Sequence, residues 1–524
     1  MTNIEQKKIE EYDIQEKLKQ EKKYFDNMFK KIDPNILLDE EQRKIILSDE
    51  KNLMVIAGAG AGKTTTITAK VNYLIEKQNI KANEIVIITF TNKAVKELQE
   101  RINKQFGHKV KITTFHKFGY EIIRENTNNP PKIIENPEEI IKKYIIKETT
   151  ITKELKKHLK IKKTIIHKKK IDHDTLSKII IYCLTFINLF KSKGLNNFEK
   201  LKTTNKKITN IINNLKKIYE NYQETLRKDN KIDFDDMIIK PIEIIKQTKK
   251  LNMKYKYIII DEYQDISECR YNLIKTIQEK IDTKIMVVGD DWQCIYGFAA
   301  SNINLFTQFK EKEQQTKILK ITNTYRNSQQ LIDIAGKFIQ RNENQITKNL
   351  KSNKQLINPI KIIKYNNNNK ITKIKQILDY IIGKYGPEKN ILILGRYTFD
   401  KRKIIDNKTI LENENRIKYI KYPTTKIDYM TIHSSKGLGY DNVILINTEK
   451  SKLGFPTNKK TDKILEKLIT TEKTIKYAEE RRLLYVALTR TKNEIIIMTP
   501  KHKQSIFIKE LKKYKNVKIK SNII

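Results

Sequence analysis

At 524 residues the chain is too long for one compact core, so two to four domains are expected, each able to bury its own. Lys plus Arg exceeds Asp plus Glu by 43, a field that draws polyanions such as nucleic acid, although abundant Lys, Asn and Ile equally fit an AT-rich gene with lysine drifted onto solvated faces. Cys183, Cys269 and Cys294 and the seven histidines lack metal-ligand spacing, which excludes a zinc or iron–sulfur framework, and a charged N-terminus without a long apolar run argues against a signal peptide or membrane span.

In chain order, residues 1–35 alternate Glu and Lys at helical spacing and predict a solvated helix or loose tail. From Leu53, short apolar runs (LMVIA, EIVIITF) each precede an amphipathic stretch of helix length, the pattern of a parallel sheet covered by helices, here over 36–119. Residues 120–232 turn Lys-rich and helical in period, which predicts a helical insertion. Strand-like runs return at YIII (257–260) and KIMVVG (284–289), completing the first α/β unit over 233–311. KILKI (317–321), NILIL (390–394), YMTI (429–432), NVILIN (442–447) and EIIIM (494–498) then predict a second α/β unit over 312–510, with a basic tail at 511–524. No fixed-period repeat occurs, and the architecture is expected to be globular and soluble, in the cytoplasm or at the nucleoid.

The run AGAGAGKTT (57–65) follows an apolar strand and opens a helix. Ala57, Gly58, Ala59, Gly60, Ala61 and Gly62 are expected to wrap phosphates, Lys63 to reach the β- and γ-phosphates, and Thr64, beside Thr65, to hold magnesium. YIIIDEYQD (257–265) supplies a carboxylate at a strand end: Asp261 for the metal and Glu262 to orient or deprotonate the attacking water. Side chains alternate along an extended strand, so the two carboxylates are expected to face different partners. In VVGDDWQCIYGF (287–298), Gln293 is placed to sense the γ-phosphate while Tyr296 and Phe298 face another ligand; Trp292 and those aromatics fit a core equally well. Arg326 and Arg490, both in the second unit, are candidate arginine fingers.

In order, AGAGAGKTT, TFTNKA, TFHKF, DEYQD, GDDWQCIYGF, TYRN, TIHSSKG and EERRLLYVALTR resemble the UvrD/Rep-type helicases of superfamily 1, and GDDWQ, the RY of ILILGRYTF and DYMTIHSSKG look most like the helicase IV branch. The resemblance implies two RecA-like P-loop lobes with ATP and Mg2+ between them, Gln42 of LDEEQR reading adenine, Tyr325 stacking on it, and Arg326 and Arg490 acting as fingers. It implies a single strand of DNA crossing both lobes over Phe90, Thr91, Asn92, Thr114, His116, Tyr296, Phe298, Arg396, His433 and Ser434, by stacking that tolerates any sequence. The implied activity is that of a monomeric ATP-driven motor moving 3′ to 5′ on single strands and at single-strand/duplex junctions.

Where many relatives have a Trp-Arg-Gly run, this chain reads Gly297, Phe298, Ala299, Ala300, and a Glu common after KGL is Gly439. Only residues 397–432 separate Arg396 from His433, so the accessory domain that UvrD and Rep insert there is expected to be absent or vestigial. A translocase that strips bound protein without efficient unwinding, and a nucleic-acid scaffold with a decayed ATP site, are the competing expectations.

Overall fold

Apolar runs without alternation mark strands covered on both faces, and the first lobe is built around such runs. In the computed structural model, which describes residues 3–30, 32–161, 172–195, 197–249, 251–413, 416–469 and 475–520, they form β1 (Asn52–Ala57), β2 (Ile85–Thr89) and β3 (Lys111–Thr114). A separate short pair follows, β4 (Lys132–Ile133) and β5 (Lys231–Ile232), and then β6 (Tyr257–Ile260), β7 (Lys284–Gly289) and β8 (Thr316–Ile321). The first sheet has the order β3-β2-β6-β7-β1-β8, with every neighbour parallel. β1 is buried along its whole length between β7 and the edge strand β8, and its C-terminal end opens on the carboxyl side of the sheet, where ligands of such sheets bind.

Two expectations are corrected here. KILKI does not begin the second lobe: β8 pairs with β1 from Asn52–Thr316 to Ala57–Ile321, so the join expected near residue 312 lies beyond Ile321. The basic tail expected from residue 511 is in part structured, because Leu511 is core and a further strand follows at 517–520. Of the two alternatives for the N-terminal stretch the structure has the helix, over Asn3–Gln20, and just after it Phe25 and Phe29 bury against Tyr73, Ala69 and Leu47 of the first lobe.

Between β4 and β5 lie the helices Pro137–Lys147, Thr149–His158, His173–Ser192 and Lys206–Lys228, whose apolar faces (Ile141, Ile145, Leu155, Phe186, Phe190, Leu215) form a core of their own. The helix His173–Ser192 has the length and apolarity to cross a membrane, but most of it is buried inside this unit. Lys191 on it is enclosed with Asp233 (2.6 Å) and Asp236 (2.8 Å), an ion cluster that ties the unit to the returning chain.

The second sheet comprises β9 (Ile360–Tyr365), β10 (Ile391–Gly395), β11 (Ile410–Asn413), β12 (Arg416–Tyr419), β13 (Ile427–Thr431), β14 (Asn442–Leu445), β15 (Ile495–Pro500) and β16 (Val517–Lys520). Its order is β11-β12-β13-β10-β14-β15-β9-β16, parallel except that β12 runs antiparallel to both of its neighbours, β11 and β13. One short helix of this half, Lys463–Leu468, leaves it and completes the core of the helical unit with Ile464 and Leu468. Asp462 caps that helix, accepts a hydrogen bond from the Tyr182 hydroxyl (2.9 Å) and pairs with His158 (2.8 Å), while Lys467 donates to the Leu201 carbonyl (2.7 Å).

Candidate functional site

β1 delivers the chain into a turn at 58–62 in which Gly60 (φ 73°) and Gly62 (φ 82°) are left-handed, a conformation that β-carbon sterics oppose. At Gly60 the requirement is double, since a Cβ there would lie 2.5 Å from the Cβ of Arg326 in the second half of the chain. The helix Lys63–Glu76 starts at this turn and aims its free N–H groups at the cleft. The cleft between the lobes measures about 480 Å³ and is walled by Gly58, Gly60–Thr65, Asp261, Glu262 and Gln293 from the first lobe and by Tyr325, Arg326, Lys436 and Arg490 beyond it. Gln42, Ala57 and Ala59, expected among the nucleotide contacts, are not on this wall. Ala57 is the buried end of β1, Ala59 is buried with its carbonyl accepting from Thr324 (2.7 Å), and Gln42 accepts from Asp39 N (3.0 Å) while donating to Ala61 O (3.4 Å).

The acidic pair departs from the extended geometry expected of it. The sheet ends at Ile260, Asp261 N still bonds to Ile88 O, and Glu262 takes a left-handed conformation (φ 54°) that turns its carboxylate to Lys63, 2.8 Å away. Burial would raise the pKa of Glu262, but Lys63 and Lys436 outweigh it and hold the group at about 2. Asp261 is pushed the other way, to about 7, by burial and by the Glu262 charge. Burial opposes the charge on Lys63, yet Glu262, Asp261 and Asp290 together keep its pKa above the ordinary lysine value.

Arg490 is fully buried and its guanidinium is held at every edge: Nε donates to Val486 O (2.9 Å), Nη1 to Leu438 O (3.0 Å) and Nη2 to Gln293 Oε1 (3.0 Å). Gln293 in turn donates to Asp290 (2.6 Å). Arg326 donates to Thr489 O (3.4 Å) and lies over Gly439, where a Cβ would come within 3.1 Å of its Nε. Tyr325 stands at the cleft mouth, 61% exposed, with its hydroxyl bonded to Asp39 (3.0 Å). Sequence reasoning missed Lys436, Asp265 and Gln264. Lys436, in the loop after β13, forms an ion pair with Asp265, stands 3.8 Å from Glu262 and lies over the Tyr296 ring at 5.1 Å. Gln264 donates to Glu262 and accepts from Asp290 N (2.8 Å). All three lie inside quoted motifs, but their roles depend on contacts across the fold.

The residues expected to meet DNA fall into two groups. In the first lobe Phe90 and Thr91 reach the cleft wall, with Arg270 over the Phe90 ring at 5.4 Å. Thr91 and Thr114 cap the helices that start at Asn92 and Phe115, and His116 meets the edge of Phe234, an exposed ring that sequence reasoning missed. The second group is a row of rings: Tyr296 to Phe298 at 5.9 Å and Phe298 to His433 at 5.5 Å, with Phe298 55% exposed. Ser434 is exposed beside His433, its hydroxyl 2.9 Å from that of Thr431. Burial and the nearby charges lower His116 and His433 to about 4. Arg396 is not free in the groove, because Glu480 holds it through Nε (3.2 Å) and Nη2 (2.7 Å). Trp292 is core: 1% exposed, its indole N–H donates to Ile346 O (3.0 Å) and its ring meets Tyr485 edge-on.

A phosphate-binding turn and an acidic strand end in one lobe, closed by arginines from another, define a two-lobed P-loop nucleotide hydrolase. Residues 38–314 match the UvrD/REP helicase N-terminal domain and residues 400–502 the UvrD-like helicase C-terminal domain; the chain belongs to the UvrD/REP helicase family, whose enzyme class is ATP-dependent DNA helicase. It is 28% identical to DNA helicase IV of Escherichia coli over 91% of this chain and 70% of that protein. It is 32% identical to a probable DNA helicase II homolog of Mycoplasma capricolum over 61% and 44% of the two chains, and 28% identical to ATP-dependent DNA helicase Rep of Buchnera aphidicola over 78% and 63%. The chain thus spans about half to two-thirds of the length of the latter two relatives.

Proposed function

We propose that the chain hydrolyses ATP in the interlobe cleft to move 3′ to 5′ along single-stranded DNA and separate duplex at junctions, working as a monomer. One observation carries this reading: two short segments each touch both the cleft and the aromatic row. Segment 293–298 places Gln293 in the cleft and Phe298 in the row, and segment 433–436 places His433 in the row and Lys436 in the cleft. A shift of the lobes on hydrolysis therefore shifts the rings.

The turn 58–62 and Lys63 hold the phosphates, and Tyr325 stacks on the base. Thr64 and Asp261 would hold Mg2+, and the fit is good: both present hard oxygen, and an Asp261 raised to about 7 by burial and by the neighbouring Glu262 charge is a site that a dication stabilises. Bound there, the ion supplies charge neutralisation for the β- and γ-phosphate oxygens. As ATP draws Lys63 away, Glu262 loses its strongest counter-charge and becomes more basic. It accepts a proton from water as the water oxygen bonds to the γ-phosphorus, and the bond to the β–γ bridging oxygen breaks with its electron pair leaving on ADP. Arg326 and Arg490 meet the charge that develops. In this reading residues 120–232 are an insertion in the first lobe, and segment 397–432 stands where UvrD and Rep carry a larger accessory domain.

The test is ATPase rate with and without single-stranded DNA, together with strand displacement from duplexes bearing a 3′ or a 5′ overhang. Stimulated ATPase with displacement from the 3′ overhang is the expected result. Stimulated ATPase without displacement from either overhang leaves a translocase, and an unstimulated rate overturns the motor.

A further inference from the structure

At the C-terminal ends of the neighbouring parallel strands β10 and β13, Gly395 and Thr431 are partners in register, and Ile432 N donates to Gly395 O (3.0 Å). His433 and Arg396 therefore emerge side by side, and the row Tyr296–Phe298–His433 leads onto the start of the turn 396–403. There the rings of Tyr397 and Phe399 are stacked, with centroids 5.0 Å apart and planes inclined by 8°. The stack is held at one end: the Arg396 guanidinium lies over Tyr397 at 4.9 Å and is fixed by Glu480, and the Tyr397 hydroxyl donates to Thr457 (3.1 Å). Its other end reaches solvent, for Phe399 is 43% exposed, and the Lys403 ammonium, paired with Asp400 (3.1 Å), lies over its ring at 5.8 Å from the centroid.

A fixed aromatic face flanked by a cation is the surface on which a nucleobase stacks while its phosphate is neutralised. We propose that Phe399 is a base-stacking platform for single-stranded DNA, continuing the track beyond Phe298 and His433 on the second lobe. This rests on the DNA-motor reading above. Tyr397 and the Arg396–Glu480 pair position the ring and need not touch the strand.

The probe is a fluorescein-labelled thymidine oligonucleotide, bound at fixed salt to the full chain and to F399A, F399L and F399W and read by anisotropy. F399A is expected to weaken binding by roughly five- to a hundredfold. F399L keeps apolar bulk without a π face and is expected to be as weak as F399A, whereas F399W binds at least as tightly as the parent. The salt slope is expected to be the same in all four, because stacking releases no counterions. The chain's one tryptophan, Trp292, is buried, so F399W adds an exposed indole whose emission is expected to be quenched by the oligonucleotide. F399A within twofold of the parent, F399L as tight as F399W, or an unquenched indole overturns the proposal alone. A parent chain that does not bind the oligonucleotide overturns the DNA-motor reading and this proposal together.

Discussion

Glu262→Gln isolates the base from the metal site, because the structure gives the two carboxylates opposite electrostatic circumstances. Gln keeps the shape and an oxygen to accept from Gln264, but it removes the group that takes the proton from water. General-base catalysis is worth roughly a hundred- to ten-thousandfold. At 1.36 kcal/mol per decade the loss corresponds to about 3 to 5 kcal/mol of barrier. Nucleotide affinity is expected to hold or rise. After burial, the Glu262 charge is the largest cause that pushes Asp261 to about 7, so its removal lets Asp261 ionise more fully at neutral pH. Lys63 stays charged beside Asp261 and Asp290. The assay pairs steady-state hydrolysis on saturating single-stranded DNA with equilibrium binding of a fluorescent ATP analogue in magnesium buffer. A stalled complex of ATP and DNA is the expected state of the variant. Turnover within roughly tenfold of the parent would refute Glu262 as the base. Weakened nucleotide binding would refute the division of labour with Asp261.

Arg490→Lys keeps the charge but loses the fork that spans Val486, Leu438 and Gln293; single-turnover hydrolysis is expected to fall by about a thousandfold or more with nucleotide affinity little changed, and near-parent turnover would leave Arg490 a structural group. DNA affinity is expected to fall linearly on a log–log plot against salt, with a slope of about −0.7 per phosphate contacted, and a flat plot would refute the nucleic-acid reading. His116 and His433 have folded pKa values near 4 against an ordinary 6.5, so the unfolded chain takes up protons first. Stability is therefore expected to fall as pH drops from about 6.5 to about 4, and calorimetry of His433→Gln should show a shallower decline; an unchanged slope would refute the burial argument.

The features legible in the sequence are those whose cause is local. AGAGAGKTT after an apolar run fixes a strand, a turn and a helix within a few residues, and four apolar residues before Asp261 place it at a strand end whatever the rest of the chain does. Alternation, by contrast, says that a segment is a strand and not which sheet receives it. KILKI therefore reads equally well as a strand of either lobe, though it pairs with β1, and VKIK at 517–520 reads as tail, though Val517 is buried on an edge strand whose lysines face outward. The left-handed turn at Glu262 carries no glycine to announce it. Lys436 escaped for a further reason: its partner Asp265 lies 171 residues away in the other lobe, and no spacing rule connects them. Arg396 is expected on the path of the strand, and nothing in ILILGRYTF reveals that Glu480 holds it.

The helix Lys463–Leu468, which fills the core of the helical unit from the other half of the chain, sets a timetable for synthesis. The Tyr182–Asp462 hydrogen bond closes over 280 residues, so the four helices of that unit leave the ribosome long before the piece that completes them. At roughly 5 to 20 residues per second, the pocket for Ile464 and Leu468 stays wet for about 15 to 55 s in a nascent chain. A newly made first half therefore presents an apolar socket to its surroundings, and a holding chaperone or slow initiation on each message has more to protect here than in a protein whose lobes finish in order.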